Sequence, residues 1–250
     1  MALLGIIVFV LANVVTGSQL LGLARRTGRR PERLLGSSLL AMGLCMPLLL
    51  VCLMATGLPT DLRAALGVTS FALSLLGLIL AACFIQQVFR PKAPWARALP
   101  VLAFLLCGGP AVGALVSVGD WQQPFLERGA PTNWSTLGYL LVFSWGALEA
   151  FSQARLLRKR ERLGLVDPVV TVRMQLWGSA NLCQLTSSLL SFVPSWALGR
   201  DFTELPWALS VLGLLSVATG SAYLLAFRMP NALKNHLGRN RVASPGGFDG

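Results

Sequence analysis

Charge is scarce in this chain. Only 12% of its 250 residues are Asp, Glu, Lys or Arg, whereas 54% are hydrophobic; soluble domains carry about twice that share of charge. Histidine occurs once, at His236, and there are ten acidic residues. These shortages remove several kinds of chemistry. The apolar runs hold neither a Ser/His pair nor two aspartates, so intramembrane proteolysis lacks its catalytic groups. Lys92, Lys159 and Lys234, the only lysines, lie outside those runs, which leaves no Schiff-base lysine for a retinal pigment. Cys45, Cys52, Cys83, Cys107 and Cys183 sit inside apolar runs without CxxC spacing and read as small hydrophobes. No metal and no cofactor is expected from such a set. Long polar stretches are missing too: 119–133 and 155–167 span about a dozen residues each, and the tail after Arg228 ends in SPGGFDG. No soluble catalytic domain is expected, which points away from an enzyme.

What is present is apolar sequence in runs of about twenty residues, each long enough as a helix to cross roughly 30 Å of hydrocarbon. Seven such helices are expected, at about 3–23, 34–57, 65–88, 98–118, 134–155, 168–192 and 206–227. The alternating pattern of a membrane β-barrel is absent. The first run has its positive charges after rather than before it and no small-x-small cleavage site, so it reads as a retained helix and not a signal peptide. The fold class that follows is an all-α, polytopic seven-transmembrane-helix bundle over residues 1–228, with a short basic tail over 229–250.

Basic residues give an orientation. Seventeen of them, in the groups Arg25–Arg33, Arg90–Arg97, Arg155–Arg162 and Arg228–Arg241, fall on one side, against Arg63, Arg128 and Arg200 on the other. By the positive-inside rule the N-terminus is outside and the C-terminus inside. The net charge of +11 is then a topology signal, and nucleic acid is not an expected partner. The expected partners are the lipid bilayer, anionic lipid at the basic inner loops, and a cytosolic or membrane protein docked on them. Trp121, Trp134, Trp196 and Trp207 mark the outer interface and Trp95 the inner one. The sequon Asn133-Trp134-Ser135 matters only in a secretory pathway.

Two charges lie well inside apolar runs: Glu149 and Arg173. If 134–155 and 168–192 are antiparallel, these two share a depth, and the same register sets Trp145 opposite Trp177. An intramembrane Glu149–Arg173 ion pair is therefore expected, since unpaired charges at mid-bilayer cost roughly 2.5–3.5 kcal/mol each. On the sixth helix Arg173, Trp177, Asn181, Gln184, Ser188 and Ser191 follow steps of four and three and form one polar interior stripe with Trp145 facing it. Pro47 and Pro110 are expected to kink the second and fourth helices. Gly213 and Gly220, one heptad apart, look like close helix contacts.

The segments GRRPERLLG (28–36), VFRPKAPWARAL (88–99) and RLGLVDPVVTVRMQLWG (162–178) resemble loop-to-helix junctions of uncharacterised bacterial seven-helix integral membrane proteins. The resemblance covers about a fifth of the chain and implies no activity or site residues. Together with the preference for Arg over Lys, it makes the bacterial cytoplasmic membrane the expected address. Three roles are compatible with these features: a receptor-like or signalling module with a polar interior around the fifth and sixth helices, a small transporter or channel component with a path beside the kinked second and fourth helices, and a structural or assembly protein.

Overall fold

The structure is a computed structural model that describes residues 2–55, 57–118, 135–198 and 205–231. Among these there are seven α-helices, one short 3-10 turn and no strand: α1 Ala2–Thr27, α2 Arg30–Met54, α3 Thr60–Phe89, the turn Trp95–Arg97, α4 Ala98–Val118, α5 Thr136–Arg162, α6 Pro168–Leu198 and α7 Pro206–Phe227. Each expected apolar run is one helix. Five of them, α1 to α4 and α7, are long and apolar enough to cross a membrane, the make-up of a multi-pass membrane protein. In α5 and α6, Glu149, the basic run from Arg155 and the polar residues of α6 dilute the apolar content. The residues 119–134, with Trp121 and the Asn133 sequon, and those after 231, with His236, lie outside the described residues.

Local chemistry sets the helix ends. Gly28 takes a left-handed φ of +69° and its N–H bonds Ala24 O at 2.9 Å, stopping α1. Gly164, at φ +72°, does the same for α5, where the N–H of Leu165 returns to Arg160 O at 3.0 Å. Asp167 then receives the Val169 N–H at 2.9 Å and Pro168 opens α6. The basic stretch to Arg162 is therefore helical, and α5 runs seven residues beyond its expected end. Pro47, Pro110 and Pro194 all fall inside continuous helices.

The order of packing is α1–α2–α3–α5–α6–α7 and back to α1, a closed ring, with α4 lying against α3 and α5. Glycines bring the helices close. A Cβ on Gly5 would collide with the backbone of Gly213, and Gly220 abuts Val8, Phe9 and Ala12, so α1 and α7 run parallel. Gly17 and Gly36 meet reciprocally across α1 and α2, while Gly43 meets Asn13 and Val14, an antiparallel pair. Thus α1, α3, α5 and α7 begin at one end of the bundle, hereafter the N-terminal end; the Arg-rich opposite end is the basic end. Large apolar side chains face outward all round, among them Leu11, Leu44, Leu76, Leu105, Leu148, Leu182 and Leu214. In water such a continuous belt would be an aggregation surface, whereas in lipid it is solvated. Trp196 and Trp207 are exposed towards the N-terminal end and Trp95 towards the basic end, as aromatic interface anchors would be.

Candidate functional site

Towards the basic end, Glu149 is held by α3 and not by α6. Its carboxylate, only 6% exposed, accepts from Arg90 Nε at 2.6 Å, and Trp145 Nε1, one turn earlier on α5, donates to the same Oε1 at 3.4 Å. Arg90 is the C-cap of α3. The carboxylate hydrogen-bonded to it pushes its pKa further above the ordinary guanidinium value. From Arg90 the chain turns back through the 3-10 turn, and Trp95 lies against Trp145 with ring centroids 6.4 Å apart. The α3–α4 connection thereby reaches the indole that donates to the buried carboxylate. Glu149 Oε2 remains buried without a partner.

The expected Glu149–Arg173 pair is corrected by this geometry. Arg173 Nε is buried with no hydrogen-bond partner. Across the α5–α6 seam Gly146 lies against Asn181 and Gly178 against Ala150, which puts Arg173 level with Ala154 and Arg155. Relative to the expected register, α6 is displaced by five or six residues, roughly 8 Å. The cause is the α5 terminus. Reading 156–167 as loop set the turn too early, whereas the basic run extends the helix and moves the turn to 163–167. Trp145 and Trp177 consequently do not oppose each other. Trp177 packs between Phe89, stacked at 5.5 Å, and Phe84, edge-on at 5.6 Å, with its Nε1 unpartnered.

The polar stripe of α6 divides in two. Asn181 is buried, spends its amide on Trp177 O at 2.8 Å and fits into the notch left by Gly146. Gln184, Ser188 and Ser191 instead line a cavity of about 450 Å³ inside the ring, in its N-terminal half. Six helices contribute to the lining, and α4 with Pro110 does not. One wall, from α1, α2 and α7, is mainly apolar, with Phe9, Met42, Met46, Leu49, Leu209 and Leu212, and carries Cys45 and Ser216 as its polar groups. The other carries hydroxyls and an amide from α3, α5 and α6, including Ser74 and Tyr139, which hydrogen-bond each other. Among the described residues, no lining side chain bears a carboxylate, ammonium or guanidinium.

Several of these residues escaped the sequence. Arg90 counted there only as a topology charge, and nothing local distinguishes it from its basic neighbours. Met42, Met46 and Ser74 belong to no polar stripe and join the cavity only because α2 and α3 converge with the four other lining helices. At the basic end two clefts flank Arg155 and Arg158: one also has Ser152, Lys159 and Arg162, the other Gln175 and Ser179. With its amide oxygen turned towards the guanidinium, Gln175 accepts from Arg158. No family model, curated protein or solved structure matches this chain.

Proposed function

We propose that this protein is a receptor-like seven-helix membrane module, spanning the membrane seven times with the N-terminus outside and the C-terminus inside, in a bacterial cytoplasmic membrane. Ligand enters the cavity in the outer half, and its occupancy is passed along α3 and α5 to the basic end. The observation that carries this reading is the geometry of one pair of helices. Ser74 and Tyr139 join α3 to α5 at the cavity, and Arg90 and Glu149 join the same two helices near the basic end. A ligand that separates the first pair therefore acts on the second through two rigid helices. The clefts around Arg155 and Arg158 take anionic lipid headgroups, and a cytosolic or membrane protein partner docks at this end. The transporter reading placed its path beside both α2 and α4, but α4 takes no part in the cavity wall, which favours the receptor.

The test uses spin labels at Lys92 and Arg160 in a background with the five cysteines changed to alanine. Ser188→Phe serves as a fixed occupant of the cavity. The reading expects the Lys92–Arg160 distance distribution to shift by about 1–2 Å or more in Ser188→Phe, in the direction taken by Arg90→Gln. An unchanged distribution in Ser188→Phe, or flux of a solute through proteoliposomes, overturns it.

A further inference from the structure

We infer that the basic end holds a lipid whose headgroup carries two phosphates joined by a short linker, as in cardiolipin, with one phosphate in each of the two clefts that flank Arg155 and Arg158. The inference rests on reading those clefts as sites for anionic lipid, and it names which anionic lipid they take.

The clefts share a centre and differ at their edges. Arg155 and Arg158 line both. The first cleft is formed by α5 side chains and adds Ser152, Lys159 and Arg162, whereas the second lies in the groove between α5 and α6 and adds Gln175 and Ser179. Their volumes, about 540 and 320 Å³, each fall in the range of small-molecule sites, about 300–1,000 Å³. Gln175 accepts from Arg158 through its amide oxygen. That bond holds the guanidinium on the ridge between the clefts and leaves it most of its N–H donors, with the Gln175 amide nitrogen free to donate as well.

Charge sets the number of phosphates. Arg155, Arg158, Lys159 and Arg162 are all exposed, and among the described residues no carboxylate forms a salt bridge with any of them. Glu161 falls on another side of α5, and Asp167 accepts the Val169 N–H. One phosphodiester would bring a single negative charge to four cations. A phosphate monoester would concentrate its charge in one cleft and leave the other to water. Two linked phosphodiesters meet both clefts, and once the first is bound the second contact is intramolecular.

The neighbouring apolar surface points to membrane lipid and not to a soluble diphosphate. Leu148, Ser152, Arg155, Lys159 and Arg162 follow steps of four and three along one outward stripe of α5, a length of about 21 Å. The stripe passes from Leu148, 68% exposed among the lipid-facing side chains, to the cations. Leu156, also exposed, lines the first cleft. An acyl chain laid against Leu148 and Leu156 brings its phosphate to the level of Arg155, as the bilayer's own change from hydrocarbon to headgroup requires.

The experiment titrates the full chain in a neutral detergent with cardiolipin, phosphatidylglycerol and phosphatidic acid of matched acyl chains, and reads bound lipid by native mass spectrometry. At matched phosphate, cardiolipin should bind tighter than the other two by about tenfold or more. Gln175→Leu, which changes the second cleft without changing charge, should bring cardiolipin down towards phosphatidylglycerol. Lys159→Gln with Arg162→Gln, confined to the first cleft, should do the same. Arg155→Gln with Arg158→Gln should remove the preference, whereas Arg26→Gln with Arg30→Gln, which removes as much charge at the same end, should leave it intact. Equal affinity for cardiolipin and phosphatidylglycerol overturns the inference, as does tighter binding of phosphatidic acid or an equal loss in the Arg26/Arg30 variant. Displacement of cardiolipin by an equal concentration of inorganic pyrophosphate also overturns it, by marking a site for a soluble diphosphate. If cardiolipin and phosphatidylglycerol bind alike and both weaken in the Arg155/Arg158 variant, the two-phosphate assignment fails and the anionic-lipid reading stands. If none of the three binds better than phosphatidylcholine, both fail, and the receptor reading is still decided by the Lys92–Arg160 distance.

Discussion

The two halves of the bundle are built on opposite principles. Near the basic end the interior is filled: Trp177 is wedged between Phe84 and Phe89, Trp95 lies on Trp145, and a buried carboxylate is neutralised across the α3–α5 seam. In the N-terminal half the same helices line about 450 Å³ in which no described side chain is charged. Tight packing makes one half resist change, because buried aromatic contacts and a paired charge are lost together. The hollow half gives up packing, and in exchange can admit something. Stability should accordingly be concentrated at one end and tolerance at the other.

The strongest way to break this contrast is to empty the packed half. Trp177→Ala should destabilise the protein by about 3–5 kcal/mol, the range for removing a large buried aromatic, read as a fall in thermal midpoint in nanodiscs. A loss below ~1 kcal/mol would show that the aromatic wedge is not a packing centre.

The ion pair comes next and should be asymmetric. Arg90 is half-exposed and can be hydrated without its partner, whereas Glu149 cannot. Arg90→Met should therefore cost about 2–3 kcal/mol by stranding a buried carboxylate, and Glu149→Gln less than about 1 kcal/mol. Adding Glu149→Gln to Arg90→Met should restore most of the loss. Chemical denaturation of the four proteins decides it, and equal single losses would contradict the asymmetry.

Smaller effects sharpen the other side. Ser188→Phe, which fills part of the hollow, should be neutral or stabilising by up to about 1 kcal/mol, whereas overpacking a filled core typically costs about 1–3 kcal/mol. A clear loss in thermal midpoint would mean that the cavity is closed by packing. The smallest expected signal is the coupling between Glu149 and Arg173. Glu149→Gln and Arg173→Gln should add within about 0.3–0.5 kcal/mol in a double-mutant cycle. A larger coupling would restore the α5–α6 pair that the register removes.

Sequence alone determined what depends on neighbours along the chain. The seven helices, the all-α class and the fitness of Gly213 and Gly220 for close helix contact follow from apolar run length and residue size, while the choice of α1 as their partner does not. A run of about twenty apolar residues has no other way to satisfy its backbone in lipid. The stripe of α6 was legible for the same reason, since helical periodicity puts Gln184, Ser188 and Ser191 on one side whatever lies opposite. Tertiary structure alone decided what lies opposite. Whether Arg155 to Arg162 is loop or helix shifts the α5–α6 register by more than a turn, and that shift sends Arg173 away from Glu149 and leaves Glu149 to Arg90. The cavity belongs to the same class of decision, because Phe9, Met42, Ser74 and Ser216 share a space only once the ring has closed, with α1 against α7. Helix formation is satisfied within one segment, but partner choice and enclosed volume depend on angles and offsets between segments, which no single stretch of residues encodes.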